Sequence, residues 1–591
     1  MTATKPHPHE CMRGLDKEAF LPKNTLKSIV LYFLLITGCG DRPSQDKQSS
    51  DIKTKVAFTD VTIEAGLGDF RHENGAFGEK WFPEPMGSGG GFIDYNGDFW
   101  EDILLVGGGV WSESGRERVP ALHLYKNNGD GTFTEVTSQA GLNNIYTYPF
   151  GITVADYDND DDQDFFLTTI GKNLLFENRG GRFEEVSEKA GLQNYSTLSS
   201  SAIFFDADRD GWLDLYIGNY IDWSPETDVR CSFGGKKGYC TPEVYEGSPS
   251  RFYRSNGDGT FTDVTQEAGF LPARGKTLGV AQHDYNKDGW PDLAVANDLD
   301  RDLLYENNGD GTFTERGMVS GMAFDEAGKA RAGMGIDVAI TDDTFEESIF
   351  IGNFQNEMIG VYRHMGNGFF MDRAAMSRIG RPSLEVLTFG LFLFDVDLEG
   401  DLDLFVVNGH IQIEIENDED EFQFRQLPQL YINKGDATFE LSKPQQGSVL
   451  AKPIVGRGAA YGDYDRDGDL DILITENSGP AYLWRNDLIG NDDKANFLRV
   501  RLLGTDSNRD GLGSTVTVFA GEQATLLRVK TGSSYLSQSE KTLTFGLGES
   551  VKIDSLKVGW ANGSVGEFYN INVNQSLEIT EGSNSLKYLK Q

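Results

Sequence analysis

Six short stretches of the chain set carboxylates and amides at alternate positions, a spacing suited to holding a hard cation. In the stretch that begins at Asp206, positions one, three and five are Asp206, Asp208 and Asp210. Gly211 allows a sharp turn at six, Trp212 offers a carbonyl at seven, and Asp214 stands at nine. These groups supply about six oxygen ligands, which suits Ca2+ better than Mg2+, an ion that keeps its waters and demands a stricter octahedron. The same spacing yields Asp94, Asn96, Asp98 and Asp102; Asp156, Asp158, Asp160 and Asp164; Asp284, Asn286, Asp288 and Asp292; Asp395, Asp397, Glu399 and Asp403; and Asp463, Asp465, Asp467 and Asp471. About six calcium sites are therefore expected. Two loops depart from the pattern: Phe99 stands where glycine is expected, with Gly97 two places early, and Glu399 puts a longer arm at position five.

An EF-hand is excluded. Position twelve would need a bidentate Glu but is Ile217 after Asp206 and Leu167 after Asp156. The residues after position nine are β-branched and aromatic, as in a strand, and show no helical period. Ordinary Asp/Asn/Gly turns would not repeat one spacing six times.

The elements that must position these loops recur with them. Each acidic loop leads into an apolar strand, as in "DADRDGWLDLYIGNY". A hairpin then follows, as in "RFYRSNGDGTFTDVTQEAGF", with an Asn/Asp-Gly turn and a return strand opened by Phe-Thr. A seventh unit lies at 338–354, "VAITDDTFEESIFIGNF". Aligned on its strand, it puts Ile340 where Asp206 stands and Ser348 where Asp214 stands, so its strands persist without a metal loop. Units repeat every 50 to 78 residues. Residues 57–67, "AFTDVTIEAGL", are the second half of a hairpin without a first, and "YLWRND" in the last unit is the converse. Pairing these two would seal a ring and remove the open sheet edges. The expected fold is all-β: a seven-bladed β-propeller over 56–490, followed by a small C-terminal β domain over 496–582. That domain is read from alternating strands such as "FLRVRLL", "TVTVFA" and "SLKVGW".

Composition agrees. Of 591 residues 70 are glycine and 12% aromatic, which suits many short strands and turns. A net charge of −39 repels nucleic acid and anionic lipid and makes both poor partners. Before the repeats, Lys23 and Lys27 precede an apolar run, Ile29–Ile36, too short to span a bilayer. With the small residues that follow, it has the layout of a signal peptide over 1–39. Its end, Ile36-Thr37-Gly38-Cys39, resembles the bacterial lipobox, in which the cysteine is lipidated. Residues 40–55 read as a flexible linker. The protein is thus expected in the bacterial cell envelope, attached to the membrane through lipid alone. Gly40 after the cysteine leans towards the outer membrane, on its periplasmic or surface face.

The acidic loops resemble the FG-GAP/VCBS repeats of integrin α-subunit propellers. "FRHENGAFGEKWFPEPMGSGGGFIDYNGD", "NGH" at 408–410, and C-terminal words such as "NFLRVRLLGTDSNRDGLGSTVTVFAG" and "YLSQSEKTLTFGLGES" resemble the cartilage acidic protein family with its ASPIC/UnbV domain. The resemblance spans 57 to about 582. Ser514 and Ala561 depart from residues usual in the family, alanine and proline. The resemblance implies an exported, calcium-associated protein concerned with adhesion.

No zinc-type histidine pair, nucleophile elbow or phosphate loop occurs. His72 and His410 are candidates for facing the central funnel, against a purely structural role, with Arg331, Arg457 and Glu84 as weaker candidates. Cys231 and Cys240 bracket "SFGGKKGY" in the longest insertion, between units three and four, and are expected to form a disulfide in an exported protein. Trp223, Tyr239, Tyr245 and Phe252 make that insertion the expected partner-binding loop. The reading is a monomeric, lipid-anchored calcium-binding propeller that binds a protein or glycan. The alternative is an extracytoplasmic enzyme that works on a polysaccharide or secondary metabolite in the funnel.

Overall fold

The computed structural model describes residues 56–590, apart from 194, 196, 234, 418–421 and 490–494. The expected signal segment, Cys39 and the linker lie outside the described residues. No helix among the described residues is long and apolar enough to cross a membrane.

Seven four-stranded antiparallel sheets follow one another along the chain. Sheets 1 to 6 occupy 90–135, 149–185, 198–263, 277–315, 336–372 and 388–441. Sheet 7 takes three strands from 456–486 and its fourth, Phe58–Asp60, from the N-terminal end of the described chain. That strand pairs antiparallel with Ala481–Asn486, placing Phe58 opposite Asn486 and Asp60 opposite Trp484. The split hairpin read in the sequence is thereby made whole. The first strand of each sheet packs against the first strand of the next, and Gly456–Gly462 of sheet 7 packs against Gly90–Ile93 of sheet 1, so the circuit closes.

Burial explains the strand compositions. Inner strands such as Leu198–Phe205 and Asp214–Ile221 are buried at every residue. They must therefore be apolar or small on both faces, and they read as continuous runs without alternation. Outer strands such as Phe133–Glu135 bury only the Phe.

The C-terminal part forms two further four-stranded sheets. One places Asn496–Leu503 between Leu543–Gly548 and Gln575–Thr580, the latter pair parallel. The other places Thr515–Ala520 between Gln523–Arg528 and Lys552–Gly559. Alternate residues, among them Val516, Val518, Leu556 and Val558, meet Leu498, Val500 and Phe545 in one apolar cluster. The cluster runs on into Phe204 and Leu215 of sheet 3, so the two parts share a core.

Between those sheets, residues 529–541 pass through the middle of the ring. Ile336 bridges Ser534, Gly91 bridges Gln538, and Ile152 N donates to Leu536 O. Thr531 Oγ1 donates to Phe204 O at 2.7 Å, and Tyr461 N donates to Ser539 Oγ. Strands of sheets 1, 2, 3, 5 and 7 thus grip one segment, whose Tyr535 is fully buried and donates to Met86 O. The chain itself thus occupies part of the funnel that His72 and His410 were candidates to face, and a cavity of about 150 Å3 lined by Met86, Leu278, Met334 and Phe389 remains beside it. Glycine makes the close approach possible. A Cβ on Gly89 would lie 1.6 Å from Leu536 O, and one on Gly91 would lie 2.3 Å from Gln538 O. Backbone cannot yield as a flexible side chain does. Gly89→Ala is therefore expected to cost at least the roughly 1–3 kcal/mol of an overpacked core, read as a lower urea midpoint. A midpoint equal to wild type would show that the segment does not seat as described.

Candidate metal centres

Each acidic loop joins the first and second strands of its sheet, in sheets 1, 2, 3, 4, 6 and 7. Its position-nine aspartate opens the second strand and is buried in every case: Asp102, Asp164, Asp214, Asp292, Asp403 and Asp471. One carboxylate oxygen accepts the backbone N–H of position two at 3.0–3.3 Å. The other accepts an N–H from the third strand, of Asn127, Asn178, Ser255, Asn307, Asn433 or Asn486, at 2.6–2.8 Å. Position nine therefore ties loop to hairpin whether or not a cation is present. The hairpin asparagine reaches further. Its amide donates to a carbonyl in the preceding unit, Asn127 to Tyr464, Asn178 to Tyr95, Asn307 to Ala207, Asn433 to Thr341 and Asn486 to Val396, at 2.7–3.1 Å. The recurrent Asn before the turn is thus a link between neighbouring sheets.

The position-one carboxylate accepts backbone N–H groups from within its loop. Asp94 takes those of Asp98 and Phe99, Asp156 those of Asp160 and Asp161, and Asp206 those of Asp210 and Gly211. This turn requires two left-handed residues. At position six these are Phe99, Asp161, Gly211, Gly289, Gly400 and Gly468. At position four they are Gly97, Asn159, Arg209, Lys287, Leu398 and Arg466. Gly97 is therefore not misplaced: it supplies the φ of +71° that position four needs. Phe99 adopts +69° at position six, a conformation that costs a residue with a Cβ about 1–2 kcal/mol. Its ring lies near the Arg501 and Lys587 cations.

Carboxylate oxygens converge in four loops. Within each of the groups Asp156/Asp158/Asp164, Asp206/Asp208/Asp210, Asp395/Asp397/Asp403 and Asp463/Asp465/Asp471, ligand atoms lie within 4.8 Å of one another. Asp160, Asp214, Glu399 and Asp467 stand outside these groups. In the loops of sheets 1 and 4, position three is an asparagine whose amide donates to the position-five carboxylate, Asn96 to Asp98 and Asn286 to Asp288. Buried oxygens of Asp158, Asp208, Asp284, Asp395 and Asp463 have no hydrogen-bond partner among the described residues. Such an orphan is costly unless a cation or proton meets it. The donor set is all oxygen, as a hard cation requires.

Burial, reinforced by neighbouring carboxylates, pushes these acids up: Asp156 to about 8, Asp206 to about 7 and Asp158 to about 6. Asp102 and Asp292 rise to about 8, chiefly by burial. Asp469, at position seven of the sheet 7 loop, rises to about 9 through burial and then Asp467. It has its own unpartnered oxygen and was absent from the expected ligand set, because position seven reads as a carbonyl donor.

The C-terminal sheets lie against these loops, which nothing in the repeat spacing announced. Arg499 bridges Asp463, at 2.9 Å, and Glu540. Gly546 N donates to Asp395 Oδ2 at 3.1 Å, and Asp156 N donates to Asp510 at 2.8 Å. Arg528 pairs with Glu347 at 2.9 Å.

The other expected residues have structural surroundings. His72 Nδ1 accepts Ser478 N, and burial pushes the ring down to about 3. His410 Nδ1 accepts Gln412 N, and burial pushes it down to about 4. Arg457 is fully buried and donates to the carbonyls of Pro85, Gly409, Gly456 and His410. Burial raises Glu84 to about 7, and it accepts Tyr239 Oη. Arg331 pairs with Asp372 at 2.6 Å. Cys231 and Cys240 form a disulfide. The aromatic insertion is not an exposed face. Trp223 and Phe252 are buried, and Trp223 joins Trp81, Phe82, Trp111 and Tyr220 in one apolar cluster.

These features define a β-propeller with acidic inter-strand loops and a docked two-sheet domain. A model of the FG-GAP-like repeat matches residues 94–167, 156–217, 241–295, 284–339 and 395–474, together more than half of the chain. The chain belongs to the FG-GAP-like repeat family, and residues 504–586 match the ASPIC and UnbV model. It is 25% identical over 363 residues to cartilage acidic protein 1 of Homo sapiens, covering 60% of this chain and 49% of that protein. It is 25% identical over 322 residues to the Xenopus tropicalis protein of the same name, covering 54% and 39%. The chain spans about half the length of these relatives or less. Among solved structures, an Agrocybe aegerita lectin that recognises non-reducing terminal N-acetylglucosamine is similar at a TM-score of 0.36 and 16% identity, over 59% of this chain and 78% of that one.

Proposed function

We propose that this protein is an exported, lipid-anchored propeller stabilised by calcium, which binds a protein or glycan outside the cytoplasm. The carrying observation is the convergence of buried carboxylates, several with an unpartnered oxygen, at one position in sheet after sheet. Calcium would neutralise charge that otherwise repels. Asp156, Asp158 and Asp164 would hold it in sheet 2, with their counterparts in sheets 3, 6 and 7. The loops of sheets 1 and 4 would do so with Asn96 and Asn286 as neutral ligands. Calcium's role is structural: it fixes how each loop enters its sheet. Export is supported by the run Ile29–Ile36 before Cys39 and by the Cys231–Cys240 disulfide, which persists in oxidising compartments. A binding role is supported by the FG-GAP family and by histidines held neutral in structural hydrogen bonds.

Glycan-array and pull-down screening of the full chain, with calcium and with chelator, tests the reading. Ligand binding lost on chelation is expected. Calcium-independent turnover of a small molecule would overturn it in favour of an enzyme.

A further inference from the structure

The seven sheets allow one blade edge to be compared with the other six. The outermost strands pair in matching registers, and the central residue of that strand is Thr134, Glu184, Thr262, Thr314, Glu440 or Thr59 in six sheets. In sheet 5 it is Met371, opposite Arg363 and 41% exposed. The hairpin is closed in each case by a backbone bond to the residue before the strand's Phe. That residue is Thr132, Arg182, Thr260, Thr312 or Thr438 elsewhere and Phe369, 53% exposed, in sheet 5. Its bonding partner is Asn128, Arg179, Asn256, Asn308 or Lys434 elsewhere and Met365, 48% exposed, in sheet 5. Six residues after the Phe, sheets 1, 2 and 3 carry Gln139, Lys189 and Glu267, whereas sheet 4 carries Val319 and sheet 5 Met376, each 65% exposed. Three polar positions of the repeat have become large and apolar together beside the exposed Met376, and none of the four residues is buried by the fold.

Charge changes at the same edge. Residues 363–381 carry Arg363, Arg373, Arg378 and Arg381 against the single acid Asp372; Asp372 pairs with Arg331, and Arg363 pairs with Asp342 of the preceding loop, so Arg373, Arg378 and Arg381 carry the charge of this edge. The equivalent stretch of sheet 4, 306–324, carries Glu306, Asp310 and Glu315 against Arg316. The acidic tip of the other turns, such as Asp130 or Asp310, is also missing, since sheet 5 turns through Gly366, Asn367 and Gly368. In a chain of net charge −39 this edge is cationic. A cleft of about 480 Å3 opens beside it, towards the sheet 6 hairpin, with Met365, Arg373 and Met376 on its sheet 5 wall and the acids Glu346 and Asp436 at other points of its lining. Strand Phe370–Asp372 hydrogen-bonds to a neighbour on one side only.

We propose that the outer edge of sheet 5 is a docking site for an extended acidic segment of a partner protein, with an apolar side chain that enters the cleft. This rests on the reading of the chain as a binding module but needs no calcium contact. The free strand edge offers backbone pairing to an extended chain, Arg373, Arg378 and Arg381 fit carboxylates, and methionines adapt to varied apolar side chains. A concave cleft of side-chain size favours a peptide over a lipid surface.

The probe is a fluorescein-labelled peptide of alternating Glu and Leu, titrated by anisotropy against the calcium-loaded full chain. Phe369→Thr, Met371→Thr and Met376→Gln, combined, restore the residue types of the other sheets at exposed positions. Wild type is expected to bind the peptide, and the triple variant at least tenfold more weakly. The variant's melting temperature and its calcium dependence, recorded alongside, should match wild type. The proposal is overturned if wild type does not bind, or if the variant binds within twofold of it. It is equally overturned if the patch proves to serve phosphatidylglycerol vesicles or self-association instead, seen as vesicle co-sedimentation or dimerisation that the variant abolishes without any peptide binding. Retained calcium-dependent melting in any of these cases would leave the calcium reading intact.

Discussion

Calcium-free protein is expected to melt roughly 10–15 °C below the calcium-saturated form, because a site held at a hundred times its dissociation constant adds about 2.7 kcal/mol and unfolding entropy is about 2 cal/mol/K per residue. Six loops contribute, and in four of them carboxylate oxygens lie within 4.8 Å of one another, a crowding that the ion would relieve. The pH dependence follows from the same groups. Asp156, Asp206 and Asp292 are raised in the folded state to about 8, 7 and 8, chiefly by burial. A carboxyl whose folded pKa lies above its unfolded value favours the fold while it is protonated. That contribution is complete below the unfolded pKa near 4 and is lost as pH rises through the folded value. Calcium-free protein should therefore melt several degrees lower at about pH 8.5 than at about pH 5.5, and the increment from calcium should grow over that interval. Superimposable melting curves with and without calcium at both pH values would remove the basis for the calcium reading.

Arg499→Met is expected to cost roughly 3–5 kcal/mol, the usual consequence of removing one member of a buried ionic group. Arg499 is 8% exposed at its side chain, and both its partners, Asp463 and Glu540, are wholly buried. Removing the guanidinium leaves two buried carboxylates in contact with nothing that neutralises them. Calcium could relieve Asp463 but not Glu540. Arg499→Met combined with Glu540→Gln should therefore recover part of the loss in calcium and little of it without. Urea unfolding followed by tryptophan fluorescence measures both variants. A loss under about 1 kcal/mol for the single variant would mean that Arg499 is not the tie between the C-terminal sheets and the sheet 7 loop.

The legible part of this molecule was local. "DYDRDGDLDILITEN" shows loop and strand together, because a two-residue strand period and Asp/Gly turn chemistry act within about ten residues. The half-hairpin at 57–67 even predicted a pairing across more than 400 residues, since its pattern lacked a partner nearby. Reading failed at a backbone requirement that no residue type marks and where distant segments meet. Gly97 looked misplaced because the left-handed requirement at position four is borne elsewhere by Asn159, Arg209, Lys287, Leu398 and Arg466, residues that do not advertise it. Trp223 and Phe252 looked available for binding because aromatic residues in an insertion carry no mark of what will cover them.

The sequence by itself determined seven strand units, six acidic loops, the closing strand and the separate C-terminal part. Each is a periodic property of neighbouring residues. Tertiary structure decided that residues 529–541 occupy the middle of the ring and that Arg499, Asp510 and Gly546 reach the acidic loops. It also decided that one sheet edge stands apolar and cationic while Trp223 and Phe252 are covered. Those outcomes depend on which surfaces of remote segments complement each other in shape and charge, and no spacing along the chain encodes that complementarity.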